Sequence, residues 1–127
     1  MDGAAVGVMG IGQIALRVED LRRAVAFYRD VLGLPLLFEA PPGMAFFGCG
    51  ATRLMLALPE RDQEGPAALV YYTVGDIHGA ARSLEDQGVA LERAPHLVAK
   101  LAHADLWMAF LRDSEGAMLA LMSEVPR

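Results

Sequence analysis

Few side chains in this chain could hold a metal or move a proton. Its histidines are His78, His96 and His103. His96 and His103 bracket residues 97–102, with Glu92 and Asp105 close by in sequence. Imidazole and carboxylate together suit zinc, nickel or iron, so these four residues could form a metal site carried on a loop. The alternative is that both histidines are polar groups of a loop or an interface, or touch a ligand directly. His78 falls early in an expected helix and reads as an exposed helix residue. Cys49 is the one cysteine. It excludes an internal disulfide and reads as a small apolar filler. No activated nucleophile, paired carboxylate or phosphate-cradling loop stands out.

The elements that must position these groups are written twice. Val18-Glu19-Asp20, followed by an amphipathic stretch to Gly33, recurs as Val74-Gly75-Asp76 followed by one to Gly88. An apolar, alternating run precedes each Asp, and later strands close on Arg53-Leu54-Met55-Leu56-Ala57 and Met118-Leu119-Ala120-Leu121-Met122. Each Asp is placed to cap a helix and each Gly to end one. Leu21, Ala24, Val25, Tyr28, Val31 and Leu32 stripe the first helix, and Ile77, Ala80, Ala81 and Leu84 the second. Arg22, Arg23 and Arg29 fall on the solvated side of the first. Strands are expected at 11–18, 35–39, 43–48 and 52–58, then at 68–74, 89–98, 105–112 and 117–123. Ala40-Pro41-Pro42-Gly43 and Asp113-Ser114-Glu115-Gly116 are turns. The pattern is βαβββ twice: residues 1–10 form a flexible tail, 11–58 the first module, 59–67 a linker and 68–124 the second module, all in one domain. Two copies suggest a pseudo-symmetric domain with a pocket between its halves.

With 127 residues, 54% of them hydrophobic and 21% charged, the chain is an ordinary globular protein able to bury a sizeable core. No apolar run approaches the ~20 residues needed to span a bilayer, and a formal charge of −5 lacks the basic stripe that phosphate contacts require. Membrane and nucleic-acid roles are therefore excluded as expectations. The N-terminus has no basic region ahead of its apolar residues, so a cytoplasmic protein is expected.

Strand alternation separates two faces. The helix-facing sets are almost purely Leu, Ile, Val and Ala. The opposite sets mix Gln13, Arg17, Arg53, Met55, Tyr71, Thr73, Met118 and Met122, joined by Met108 and Phe110. A mostly apolar wall with a few directional polar groups suits a pocket, and methionines give it deformable surface. The alternative is a closed core filled by methionine. Arg17 could hold an anionic ligand or pair at the rim with a carboxylate. Tyr71 is either an aromatic wall or a proton donor. Trp107 is expected to pack against a helix or across a dimer interface.

Three segments carry a resemblance. Gln13-Ile14-Ala15-Leu16-Arg17-Val18-Glu19-Asp20, Ala26-Phe27-Tyr28-Arg29-Asp30-Val31-Leu32-Gly33-Leu34 and Leu111-Arg112-Asp113-Ser114-Glu115-Gly116 resemble the vicinal oxygen chelate superfamily, the glyoxalase, bleomycin-resistance protein and extradiol dioxygenase group. The resemblance covers residues 11–124. It implies an α+β fold in which two βαβββ modules form a curved mixed sheet around a central pocket. It also implies a homodimer, an arginine at position 17 that binds a substrate carboxylate, and a divalent metal held by four strands of the concave face. The metal positions fall on Gln13, Met55, Leu69 and Ala120. A catalytic metal needs about three protein ligands, and only Gln13 is a donor of the usual kind.

No cofactor is therefore expected. The leading reading is a metal-free binder of a small organic molecule, resembling the bleomycin-resistance type, with a pocket of Gln13, Arg17, Arg53, Met55, Leu69, Tyr71, Thr73, Met108, Phe110, Met118, Ala120 and Met122. A metal-dependent lyase, isomerase or dioxygenase with unconventional ligands is the second. A metal-free enzyme using Arg17, Tyr71 or a histidine is the third.

Overall fold

Two four-stranded sheets, each with one helical segment, build the chain twice over. The computed structural model describes residues 13–59 and 68–127, together with Gly7 and Ile11. The expected tail, apart from Gly7, and the linker beyond Pro59 lie outside the described residues. The first module is β1 (Gln13–Arg17), α1 (Leu21–Ala26), β2 (Leu36–Ala40), β3 (Met44–Cys49) and β4 (Thr52–Ala57). The second is β5 (Tyr71–Thr73), α2 (Ile77–Asp86), β6 (Leu91–Lys100), β7 (Ala104–Arg112) and β8 (Met118–Pro126). Strand orders are β1-β4-β3-β2 and β5-β8-β7-β6. In each sheet the first strand runs parallel to the last, and the other pairs are antiparallel. No helix among the described residues is long and apolar enough to cross a membrane.

The helix starts follow from the two repeated aspartates. Asp20 accepts from the Arg23 N–H and Asp76 from the Gly79 N–H, both at 3.0 Å. Each cap satisfies an N–H that the helix itself leaves unpaired, which is worth about 1 kcal/mol. Gly79 leaves the second cap room, since a Cβ there would stand 2.5 Å from Asp76 Oδ2. Gly33 and Gly88, at φ 77° and 81°, end the helical segments where the pattern places them. The first segment departs from an ordinary α-helix in its second half. Phe27–Val31 forms a wider π-helical turn, with the Leu32 N–H reaching Phe27 O at 3.1 Å.

Two strand expectations change. The ladder of β5 is three residues long rather than spanning 68–74, although Ala120 N–H to Val70 O and Val74 N–H to Met122 O extend its pairing at both ends. Strand β6 runs on to Lys100, with register shifts around Pro95 absorbing a residue that cannot donate to a ladder. His96 sits within β6, so the metal site expected on a loop would have one member on the sheet.

Both modules feed one apolar core. Val18, Tyr28, Phe47, Leu54 and Leu56 come from the first, and Tyr72, Ile77, Leu84, Leu111, Leu119 and Leu121 from the second. Cys49 packs against this core as a free thiol, and half-buried Trp107 meets His78 of α2 edge-on at 5.0 Å. At the seam the β7–β8 turn grips the first helix. Asp113 Oδ1 accepts from the Glu115 and Ala117 N–H groups at 2.8 and 2.9 Å, and its Oδ2 accepts from the Tyr28 hydroxyl at 2.8 Å. Glu115 accepts from the Glu19 and Asp20 N–H groups at 2.6 and 3.2 Å and lies 3.7 Å from Arg23. A carboxylate at a helix N-terminus also meets the positive end of the helix dipole. Of the three exposed arginines of the first helical segment, Arg23 of α1 shares this contact and Arg29 of the π-helical turn pairs with Asp30.

Burial pushes the phenols of Tyr28 and Tyr72 above the usual tyrosine range, with smaller contributions from Asp113 and, for Tyr72, from Cys49. Unfolding releases both to ionise near the ordinary value of about 10. Their contribution is therefore present below that pH and is lost as pH rises above it. Urea unfolding checks both points. Asp113→Ala, which strands three donors, is expected to cost about 2–4 kcal/mol and Tyr28→Phe about 1 kcal/mol. Wild-type stability should fall above about pH 10, less steeply in Tyr28→Phe.

Candidate functional site

The strand registers order the open face of the first sheet into three rows. Ala40, Met44, Ala57 and Arg17 form the first. Phe38, Phe46, Met55 and Ala15 form the second, and Gly48, Arg53 and Gln13 the third. Alternate residues, such as Phe47, Leu54 and Leu56, point the other way into the core. Arg17, Ala57 and Met44 of the first row and Ala15 and Met55 of the second, with Pro42, Gly43, Leu58 and Pro59 at their edge, border a cavity of about 450 Å³. Its wall contains Arg17, Met44 and Met55 and is otherwise apolar. At the rim, Leu58 donates to Gly43 O at 2.9 Å, and a Cβ on Gly43 would come within 2.7 Å of the Leu58 side chain.

The third row is a polar cluster. Arg53 Nε donates to Gln13 Oε1 at 2.8 Å, and Gln13 Nε2 lies 3.9 Å from Met55 Sδ. The Arg53 guanidinium stands 5.2 Å from the centre of the Phe46 ring, which itself stacks on Phe38 at 4.5 Å.

The second sheet repeats the arrangement with different chemistry. Tyr71, Ala120, Phe110 and Arg93 form one row and Thr73, Met122, Met108 and His96 the next, with Met118 opposite Arg112. Phe110 is flanked by Tyr71, edge-on at 6.4 Å, and by His96, stacked at 6.2 Å. Leu69 precedes β5 and is exposed. The residues expected in one pocket are thus divided. Arg17 and Met55 line the cavity, and Gln13 and Arg53 flank it on the same face. Tyr71, Thr73, Met108, Phe110, Met118, Ala120 and Met122 belong to the second sheet. Between the halves lies a seam cavity of about 420 Å³, and none of its lining residues lines the first-module cavity. Ile14 and Leu54 line the seam cavity from one side and Val70, Tyr71, Tyr72 and Thr73 from the other. The division arises because β1 and β5 share no ladder, so the sheets remain distinct.

The alternative metal cluster does not assemble. Glu92 pairs with Arg112 and Asp105 with Arg127, near opposite ends of the β6–β7 pair, and the His96 ring is held at 2.9 Å by Ala94 O. Among the described residues, no group of three or more His, Cys, Asp or Glu could hold a metal ion. Sequence reasoning passed over Met44 and Phe46. Their counterparts in the repeat are Met108 and Phe110, which hold the equivalent places on β7, so superposing the two copies would have found them.

Comparison with known proteins places this geometry. The profile of the Glyoxalase/Bleomycin resistance protein/Dioxygenase superfamily matches residues 10–121. The chain belongs to that superfamily. It is 32% identical over 102 residues to the uncharacterized protein YraH of Bacillus subtilis, covering 69% of this chain and 80% of that one. Among solved structures, a lactoylglutathione lyase from Agrobacterium tumefaciens is 23% identical with a TM-score of 0.75, covering 92% of this chain and 95% of the other. A virulence protein from Salmonella typhimurium is 16% identical with a TM-score of 0.78, covering 94% and 100%. At these identities the structural likeness is one of fold.

A superfamily metal would draw on Gln13, Met55, Leu69 and Ala120. Leu69 and Ala120 carry no donor atom, Met55 offers only a thioether, and the carbonyl oxygen of Gln13 already accepts from Arg53. This set does not fit a hard or borderline divalent cation. Elemental analysis of the purified chain should find metal far below one equivalent, and a chelator should leave the thermal midpoint unchanged.

Proposed function

We propose that this protein binds a small organic molecule on the concave face of its first module, without a metal. The observation that carries the reading is the cavity of about 450 Å³ bordered by Ala15, Arg17, Met44, Met55 and Ala57, a volume within the range of about 300–1,000 Å³ that small-molecule sites occupy. Met44 and Met55 supply polarizable side chains that adapt to irregular or planar shapes. Arg17 adds a directional polar group at one end of the wall. The lack of suitable donors at the superfamily's metal positions points the same way.

A homodimer acting in the cytoplasm belongs to this reading. Its support is the second module's open side, where Leu69 and Tyr71 remain 44% and 45% exposed, a state that a second copy would change.

The neutral fluorophore N-phenyl-1-naphthylamine tests the cavity. It should bind at one site per chain, and Ala15→Trp, which fills the cavity from β1, should weaken binding by at least about tenfold. Binding that ignores this substitution would remove the assignment. Sedimentation equilibrium should give twice the 13.6 kDa chain mass, and a monomer at every concentration would end the dimer reading.

A further inference from the structure

We infer that Arg53 anchors the carboxylate of a flat aromatic ligand, an assignment that rests on the binding reading above and names its ligand class. The guanidinium is oriented from two directions. Its Nε is committed to Gln13 Oε1 at 2.8 Å, and its Cζ lies 5.2 Å from the Phe46 ring centre. These contacts fix the direction of the fork while its terminal amino groups have no further partner among the described residues. Two parallel N–H groups on one planar cation match the two oxygens of a carboxylate, and arginine keeps its charge at any physiological pH.

The surroundings select the rest of the ligand. Phe46 itself is 8% exposed, and the ring open to a ligand is Phe38, 48% exposed, which stacks on it with an interplanar angle of 22°. Met55, the neighbour of Gln13 and of Phe46, connects this surface to the cavity. A ring system can therefore lie against aromatic and thioether surface while its carboxylate reaches the fork. In the three rows of this face the only charged residues are arginines, although the chain as a whole carries −5. Gln13 is the position at which the superfamily would present a metal ligand. Here its amide carbonyl faces a fixed organic cation, so positive charge is supplied at this place by the chain itself.

Titration calorimetry with 2-naphthoate and 2-naphthamide, which share shape and differ in charge, tests the assignment. Wild-type protein should prefer the carboxylate by about tenfold or more. Arg53→Met should abolish that preference while N-phenyl-1-naphthylamine still binds, and Arg53→Lys, which keeps the charge but not the fork, should retain only part of it. An equal affinity for both naphthalenes in wild type, or a preference that survives Arg53→Met, would overturn the assignment and leave the cavity reading intact. So would a preference lost in Arg17→Met but kept in Arg53→Met. Failure of the neutral probe to bind wild type would remove both readings together.

Discussion

The two carboxylates of the β7–β8 turn hold the modules in a fixed relation. Asp113 closes its own turn through two backbone N–H groups and uses its remaining oxygen for the hydroxyl of Tyr28, a residue 1% exposed. Glu115, two residues on, takes the backbone N–H groups that lead into α1. One short turn of the second module thereby satisfies donors at the entry to the first module's helix. Since the sheets share no ladder, this grip and the apolar seam set the angle between them. Every residue on either concave face inherits its position from that angle.

The first module's open face combines a superfamily scaffold with an unfamiliar set of side chains. A catalytic metal demands several converging donors, and two of the four positions that would provide them are aliphatic. What converges instead is a planar cation, an amide and stacked aromatic rings, an arrangement suited to recognition through shape and charge. Nothing in that cluster is poised as a nucleophile. The Gln13 amide and the Arg53 Nε are engaged with one another, which favours a preformed surface over one that must rearrange for each encounter.

Much of this was legible in the residues alone, for identifiable reasons. Asp20 and Asp76 cap and Gly33 and Gly88 terminate because these roles depend on local backbone geometry, which sequence spacing reports well. Alternation assigned Arg53, Met55 and Gln13 to one face because a strand has a period of two. What could not be read locally was which strands lie close enough to share a cavity. Tyr71 and Met122 have the pattern of pocket residues, yet they lie on the second sheet, and that outcome depends on how the sheets meet. The same limit applied to His96 and Glu92. Their separation from Asp105 became visible only once the β6–β7 register was known, which sets Glu92 and Asp105 near opposite ends of the pair. The π-helical turn at Phe27–Val31 likewise has no marker in the spacing of the apolar residues.

Each strand of the first sheet serves two unrelated purposes on its two sides. In β4, Leu54 and Leu56 are sealed in the interior while Arg53 and Met55 look outward, and the backbone hydrogen bonds that align the strand involve neither set of side chains. Thermodynamic specification of the scaffold is consequently decoupled from the chemistry it displays. Exchange of an outward residue such as Arg53 or Met55 therefore leaves the buried contacts of Leu54 and Leu56 in place. The diversity of activities gathered under one architecture is then a direct product of the pleat.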